Sequence, residues 1–158
     1  MSALTLRRAG PGDCRLLWEW ANDPVVRRAS FHSEPIGWEE HAAWFADRSR
    51  EPRCYLYIAV ETGGQPVGQV RFEVAAPGGA EVDISVAPAC RRQGIGRVLL
   101  MAAVARVRQD APELRQIIAR IKSENAASIR VFETCGFTRQ ADRWINRLRR
   151  RTVEEARA

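Results

Sequence analysis

The sequence predicts one α+β domain built on a mixed β-sheet, and three observations carry that prediction. Three extended segments, Cys54–Glu61, Pro66–Val74 and Glu81–Val86, follow one another with hairpin-type turns at Thr62-Gly63-Gly64-Gln65 and Pro77-Gly78-Gly79. Segments with helical spacing of apolar residues lie on both sides of this meander. No repeat, linker or low-complexity tract interrupts the 158 residues, a length that suits one domain with a proper core.

Taken in order, Leu4 and Leu6 alternate with Thr5 and Arg7 as in a short first strand, which Gly10-Pro11-Gly12 breaks. Asp13 is the expected N-cap of a helix reaching about Ala21. Asn22-Asp23-Pro24 ends it, because a residue before proline is pushed out of helical geometry, and a polar loop from Arg27 to Pro35 is expected next. A second helix is expected from Trp38 to about Arg48, with Trp38, Ala42 and Phe45 on one face. In Glu81–Val86 the alternation is strict, with Val82, Ile84 and Val86 facing one way and Glu81, Asp83 and Ser85 the other. After Gly96 a third helix places Ile95, Val98, Leu99 and Ala102 on a shared face and closes at Asp110-Ala111-Pro112. Gln116–Lys122 reads as a strand, Asn125 to Thr134 as a fourth helix stopped by Gly136, and Trp144–Leu148 as a final strand.

Composition narrows the function. Hydrophobic residues make up 46% and charged residues 28%, a globular balance. No apolar run approaches the ~18 residues of a membrane span. The first residues carry no export-like pattern, so a cytoplasmic address and no membrane partner are expected. Cys14, Cys54, Cys90 and Cys135 lie far apart, and His32 and His41 are the two imidazoles, so neither a disulfide framework nor a metal site is expected. The net charge of +6 favours anionic partners, although Arg147, Arg149, Arg150 and Arg151 read as a solvated tail. Charge alone is a weak reason to expect nucleic acid, and none is expected here.

The chemistry concentrates between Glu81 and Val107. A helix N-terminus offers unpaired N–H groups and the positive end of the helix dipole, so it attracts anions. Gly94 and Gly96, without Cβ atoms, let those amides approach a phosphate, and Arg91, Arg92 and Arg97 add charge at the same point. The segment lacks the Gly-Lys-Ser/Thr ending of a Walker loop, and Leu99 stands where a dinucleotide fingerprint needs its third small residue. A basic turn capping a helix is the plainer alternative.

Arg91-x-x-Gly94-x-Gly96 after Val86-Ala87-Pro88 resembles the acetyl-CoA pyrophosphate motif of the GNAT superfamily. The run Asn125–Phe137 resembles that family's second cofactor motif, and the resemblance extends over about Leu4 to Phe137. It implies a three-layer α/β/α fold with about four helices. The sheet would be mostly antiparallel, with the strands at Glu81–Val86 and Gln116–Lys122 forming a parallel pair that splays to admit pantetheine. It implies acetyl-CoA as co-substrate, held by Val86, Arg91, Arg92, Gln93, Gly94, Ile95, Gly96, Arg97, Asn125, Ser128 and Phe132. Backbone groups near Ser85 and Val86 would bond the pantetheine amides, and transfer would be by direct attack of a primary amine, with a nearby amide polarising the thioester carbonyl and serving the developing oxyanion.

The attacking amine must be neutral, and Glu81 and Asp83 are the candidate bases, through a water relay; each reads equally as an exposed strand face. Many relatives carry a glutamate where this chain has Arg120, and a tyrosine acid where it has Phe132. Phe132 shares a helical face with Ser128, Val131 and Cys135, so packing suits it, and Asn125 reads also as an N-cap. These two departures leave room for a non-catalytic acyl-CoA-binding module. The run from Trp20 through Asn22-Asp23-Pro24 to Arg27, with Ser30 and His41-x-x-Trp44-Phe45, resembles the acetyltransferases of pseudaminic-acid-type synthesis, which act on the 4-amino group of a UDP-linked sugar. Ribosomal-protein N-terminal acetyltransferases share part of that pattern. The resemblance makes Trp20, Asn22, Arg27, Ser30 and His32 substrate candidates in a monomer or homodimer, with a core role as the alternative for the tryptophans.

Overall fold

The computed structural model describes residues 3–149. Seven strands form one sheet in the order β1-β2-β3-β4-β5-β7-β6. They are β1 (Leu4–Arg8), β2 (Cys54–Glu61), β3 (Pro66–Ala76), β4 (Gly79–Val86), β5 (Gln116–Ala119), β6 (Thr138–Gln140) and β7 (Arg143–Arg147). All neighbouring pairs are antiparallel except β4 and β5, which run parallel. Five helices accompany them: α1 (Cys14–Ala21), α2 (Pro24–Ala29), α3 (Trp38–Arg50), α4 (Ile95–Asp110) and α5 (Ala126–Thr134).

The layering follows from the period-two alternation of β2. Tyr57 and Ala59 enter the larger core with Leu99, Leu100, Ala103 and Val107 of α4. Leu56 and Ile58 enter a second core with Leu17 and Trp20 of α1 and Phe45 of α3. A strand that is apolar on both faces requires cover on both, which gives the expected α/β/α sandwich. The larger core also contains a polar anchor. Tyr57, fully buried, donates its hydroxyl to Asp110 Oδ2 at 2.6 Å, while Arg106 pairs with the same carboxylate at 3.1 Å. Burial and the neighbouring Asp110 push the Tyr57 phenol far above its ordinary range.

Several expectations about local structure are corrected. Asp13 stands at the N-cap of α1 as expected, but it also ends a short 3-10 turn and its side chain bonds no amide of α1; the carboxylate takes a two-point bond from Arg7 and one from the Gly10 amide. The Arg7 bond holds that carboxyl below the usual range. The segment after Pro24 is a helical turn, α2, because Asp23 caps it by accepting from the Val25 amide and Pro24 fits its first position. On α3 the buried residues are His41 and Phe45, and Trp38 is exposed. The α4 face is Ile95, Leu99, Leu100, Ala103 and Val107, so Val98 and Ala102 sit at its margin. β5 ends at Ala119 instead of Lys122, β7 runs from Arg143 to Arg147, and β6 is an additional edge strand. Arg150 and Arg151 of the expected basic tail lie outside the described residues. No described helix is long and apolar enough to cross a membrane.

Candidate active site

The site begins where β4 and β5 part. Their ladder has three pairs, Gly79–Gln116, Ala80–Ile117 and Glu81–Ile118, beyond which β4 continues to Val86 paired with β3 on its other edge. The fork therefore opens just beyond Glu81. At its far end, a 3-10 turn at Pro88–Cys90 leads into the loop that starts α4. Arg92 (φ 62°) and Gly94 (φ 74°) are both left-handed, and this curls the loop so that successive amides can converge. Gly94 is the N-cap of α4 and offers no side chain to its first amides. At Gly96 an added Cβ would make only ordinary contact, 3.7 Å from methyls of Val131 and Val86, so this glycine is an opening and not a packing necessity. Exposed amides, an uncapped 16-residue helix and three arginines fit a diphosphate.

One of those arginines is already engaged. Arg91 Nη2 donates to Asp23 Oδ1 at 2.8 Å, joining the cofactor-side loop to the cap of α2. Burial pushes the Asp23 carboxyl up, but Arg91 and the amides of Val25 and Val26 more than offset it and leave it below the usual range. Arg92, Gln93, Gly94 and Arg97 are exposed, and Ile95 is buried beneath them. On α5, Asn125 caps the helix by accepting from the Ser128 amide at 3.2 Å. Phe132 is buried, edge-to-face on Phe137 at 4.9 Å.

The structure groups Glu81, Asp83 and Ser85 on one face of β4. Arg120 Nε lies 3.5 Å from Glu81 Oε2. Asp83 Oδ2 accepts from Gln69 Nε2 of β3 at 3.0 Å and lies 3.8 Å from Arg71 Nη1, and the same Gln69 nitrogen reaches Ser85 Oγ at 3.2 Å. The reading of the sequence missed Gln69; its signal is the alternation of Gln69, Arg71 and Glu73 with Val70, Phe72 and Val74, which marks a polar face of β3 but not the register that sets Gln69 opposite Ser85.

Most of the acceptor-side residues bind the chain itself. Trp20 is 8% exposed, within the second core, so packing takes up its ring. Asn22 holds the loop end by accepting from the Ile36 amide and donating to the Ile36 carbonyl. Arg27 donates to the carbonyls of Ala21, His32 and Glu34 and to Ser30 Oγ, and Ser30 in turn donates to the Val26 carbonyl. His32 keeps an exposed ring. His41 Nε2 meets the Cys14 carbonyl at 2.9 Å, and burial lowers its pKa. Beside the fork lies a cavity of about 450 Å³ whose lining includes Phe31, Arg120, Ile121, Lys122, Arg139 and Trp144.

The family profile described as "Acetyltransferase (GNAT) domain" matches residues 3–138, nearly the whole described chain. The chain belongs to the GNAT acetyltransferases. This GNAT domain is 32% identical over 143 residues to the L-methionine sulfoximine/L-methionine sulfone acetyltransferase of Pseudomonas aeruginosa, covering 87% of this chain and 81% of that protein. Among solved structures it is similar to the spermidine N-acetyltransferase of Vibrio cholerae in complex with CoA and spermine, with a TM-score of 0.79, 20% identity, and coverage of 91% and 92%. It is similar also to the aminoglycoside acetyltransferase AAC(6')-Ib in complex with coenzyme A, with a TM-score of 0.78, 21% identity, and coverage of 92% and 95%. The protein is an acetyl-CoA-dependent N-acetyltransferase, with acetyl-CoA as co-substrate.

Proposed function

We propose that this acetyltransferase modifies the primary amine of a small anionic acceptor of the amino-acid type. The observation that carries the reading is the fork beyond Glu81–Ile118, with two carboxylates on one face and a cavity beside it whose charged lining is Arg120, Lys122 and Arg139 together with Glu124 and Asp142. Guanidinium and ammonium groups at such a position suit an acceptor carboxylate. The name of the Pseudomonas relative, an acetyltransferase of two methionine derivatives, points the same way.

Acetyl-CoA supplies an activated thioester. Amides of the Gly94–Gly96 turn, with Arg92 and Arg97, would hold its diphosphate, Arg91 would add charge there while bonded to Asp23, and Gln93 and Ile95 would shape that turn. Asn125, Ser128 and Phe132 border the cofactor on the α5 side. The edge of β4 beyond its ladder with β5, around Ser85 and Val86, would offer backbone groups to the pantetheine amides. At ~3.3 Å per strand residue, Glu81 and Asp83 stand roughly 17 and 10 Å back from Val86, toward the closed end of the fork. There they take the proton of the acceptor ammonium, through water, so that a lone pair is free to attack. The departing thiolate is stable enough to leave with solvent protonation, consistent with Phe132 where relatives have a tyrosine.

A UDP-linked amino sugar is the second reading. Exposed Phe31 beside Lys122 and Arg139 offers a stacking face next to phosphate-binding cations, although Trp20, Asn22, Arg27 and Ser30 are engaged within the chain. We place the enzyme in the cytoplasm, where acetyl-CoA is available. Free-thiol release should be followed with acetyl-CoA against L-methionine sulfone, a UDP-amino sugar, a ribosomal N-terminal peptide and spermidine. The amino-acid derivative is expected to give a kcat/KM at least about tenfold above the others, equivalent to one well-made charged contact. A UDP-amino sugar turning over fastest would transfer the assignment to the second reading.

A further inference from the structure

Gln69 is an unusual residue for the middle of β3. It is 7% exposed and is flanked in the sheet by the fully buried Ile58 of β2 and by Ser85 of β4. Its amide nitrogen makes two contacts, to Asp83 Oδ2 at 3.0 Å and to Ser85 Oγ at 3.2 Å. Its Oε1 is buried with no hydrogen-bond partner among the described residues. The amide orientation is fixed by chemistry, because an ionised carboxylate only accepts and the nitrogen must therefore face Asp83. Both amide protons are then engaged, and the oxygen is left buried without a partner among the described residues, which is unfavourable for an acceptor. Glutamine is a poor choice here for stability and a good one for holding two groups of β4.

We propose that Gln69 is a positioning residue for acetyl transfer. It aims the Asp83 carboxylate along the acceptor face of the fork, and by donating to Ser85 Oγ it leaves the serine proton free to be donated away from the sheet. The inference rests on the reading of Asp83 as a proton acceptor. Asp83 also faces Arg71 of β3 at 3.8 Å, Glu81 two residues earlier on its own strand, and Arg120 beyond β5, which pairs with Glu81. Glu73 and Arg48 form a further pair beyond Arg71. A change at Gln69 leaves all of these charges in place and removes one donor from Asp83.

The test compares Gln69→Leu, Gln69→Glu and the wild type. Melting temperature, KM for acetyl-CoA, and the pH profile of kcat/KM are measured with L-methionine sulfone or with whichever amine in the screen above turns over fastest. Gln69→Leu is expected to keep or raise the melting temperature, because it removes a buried oxygen that has no partner among the described residues. It should lower kcat about tenfold, the loss of one charge-assisted bond, with KM for acetyl-CoA unchanged. The acid limb of kcat/KM should move to higher pH, because a carboxylate that loses a donor is less stable in its charged form. Gln69→Glu should move the limb further by like-charge repulsion, and in an Asp83→Asn background neither change should move it. A melting temperature that falls while the rate and the limb stay at wild-type values gives Gln69 a structural role alone and overturns the inference. Loss of the limb in Asp83→Asn with no movement in Gln69→Leu also overturns it. A limb that persists in Asp83→Asn instead rejects the base reading on which it rests.

Discussion

Replacing Glu81 by Gln and Asp83 by Asn together is expected to lower kcat/KM about a thousandfold at neutral pH, within the range for loss of general-base catalysis. Both side chains project from the same face of β4 at the closed end of the fork, where β4 and β5 part, and they are the carboxylates set on that face. Each is held by a different neighbour, Glu81 by Arg120 and Asp83 by Gln69, so each single change should retain part of the activity. The sign of the pH effect follows from what each group must do. In the wild type the carboxylates take the proton from the acceptor ammonium, so activity extends below the amine's own range. With both made neutral amides, the rate depends on the fraction of acceptor amine already free, and the optimum moves upward toward the amine's own range. Initial rates from pH 5 to pH 10, at saturating acetyl-CoA, measure this. A double variant with a wild-type profile removes both carboxylates from the mechanism.

Gly68→Val is expected to be the most destabilising substitution in the sheet. A Cβ at this position would stand 2.7 Å from the Ser85 carbonyl oxygen and 2.8 Å from Leu99 Cδ2. Neither obstacle is free to move, since the oxygen belongs to β4 and Leu99 is fully buried where α4 packs on the sheet. Glycine at this position lets α4 lie close on β3, and that closeness sets the start of α4 at the end of the fork. Overpacking of this kind costs about 3 kcal/mol, which for a domain of this size lowers the melting temperature by roughly 10 °C. Thermal unfolding followed by circular dichroism is the readout, and a shift below about 2 °C would show that β3 and α4 part easily.

The fold was legible where one local rule governs a segment. The strict alternation of Glu81–Val86 gave the orientation of both faces of β4, and the glycine turns gave the β2–β3–β4 meander. The parallel, splayed partnership of β4 with β5 came from the family resemblance of two motifs, since pairing across a crossover has no local signal. Residues with two competing roles were read less well. Asp13 has the chemistry of an N-cap, but Arg7, six residues earlier on β1, claims its carboxylate. Pro24 both ends one helix and starts another, and the Asp23 cap decides for the second. The polar groups of Asn22, Arg27 and Ser30 look available for substrate in a linear sequence, yet they close a loop on carbonyls that only the folded chain brings near. Gln69 illustrates the same limit from the other side, because its partners lie 14 and 16 residues away.

The most direct test of the account is calorimetric titration of acetyl-CoA into the wild type and Gly96→Asp. The added Cβ fits, 3.7 Å from its nearest neighbours, and a carboxylate in the first turn of α4 suits the helix dipole, so the variant should fold with an undiminished melting temperature. The same carboxylate would sit among the amides assigned to the diphosphate, and acetyl-CoA affinity is expected to fall at least about a hundredfold, or ~2.7 kcal/mol. A folded Gly96→Asp protein that binds acetyl-CoA as tightly as the wild type would contradict the placement of the coenzyme on this helix.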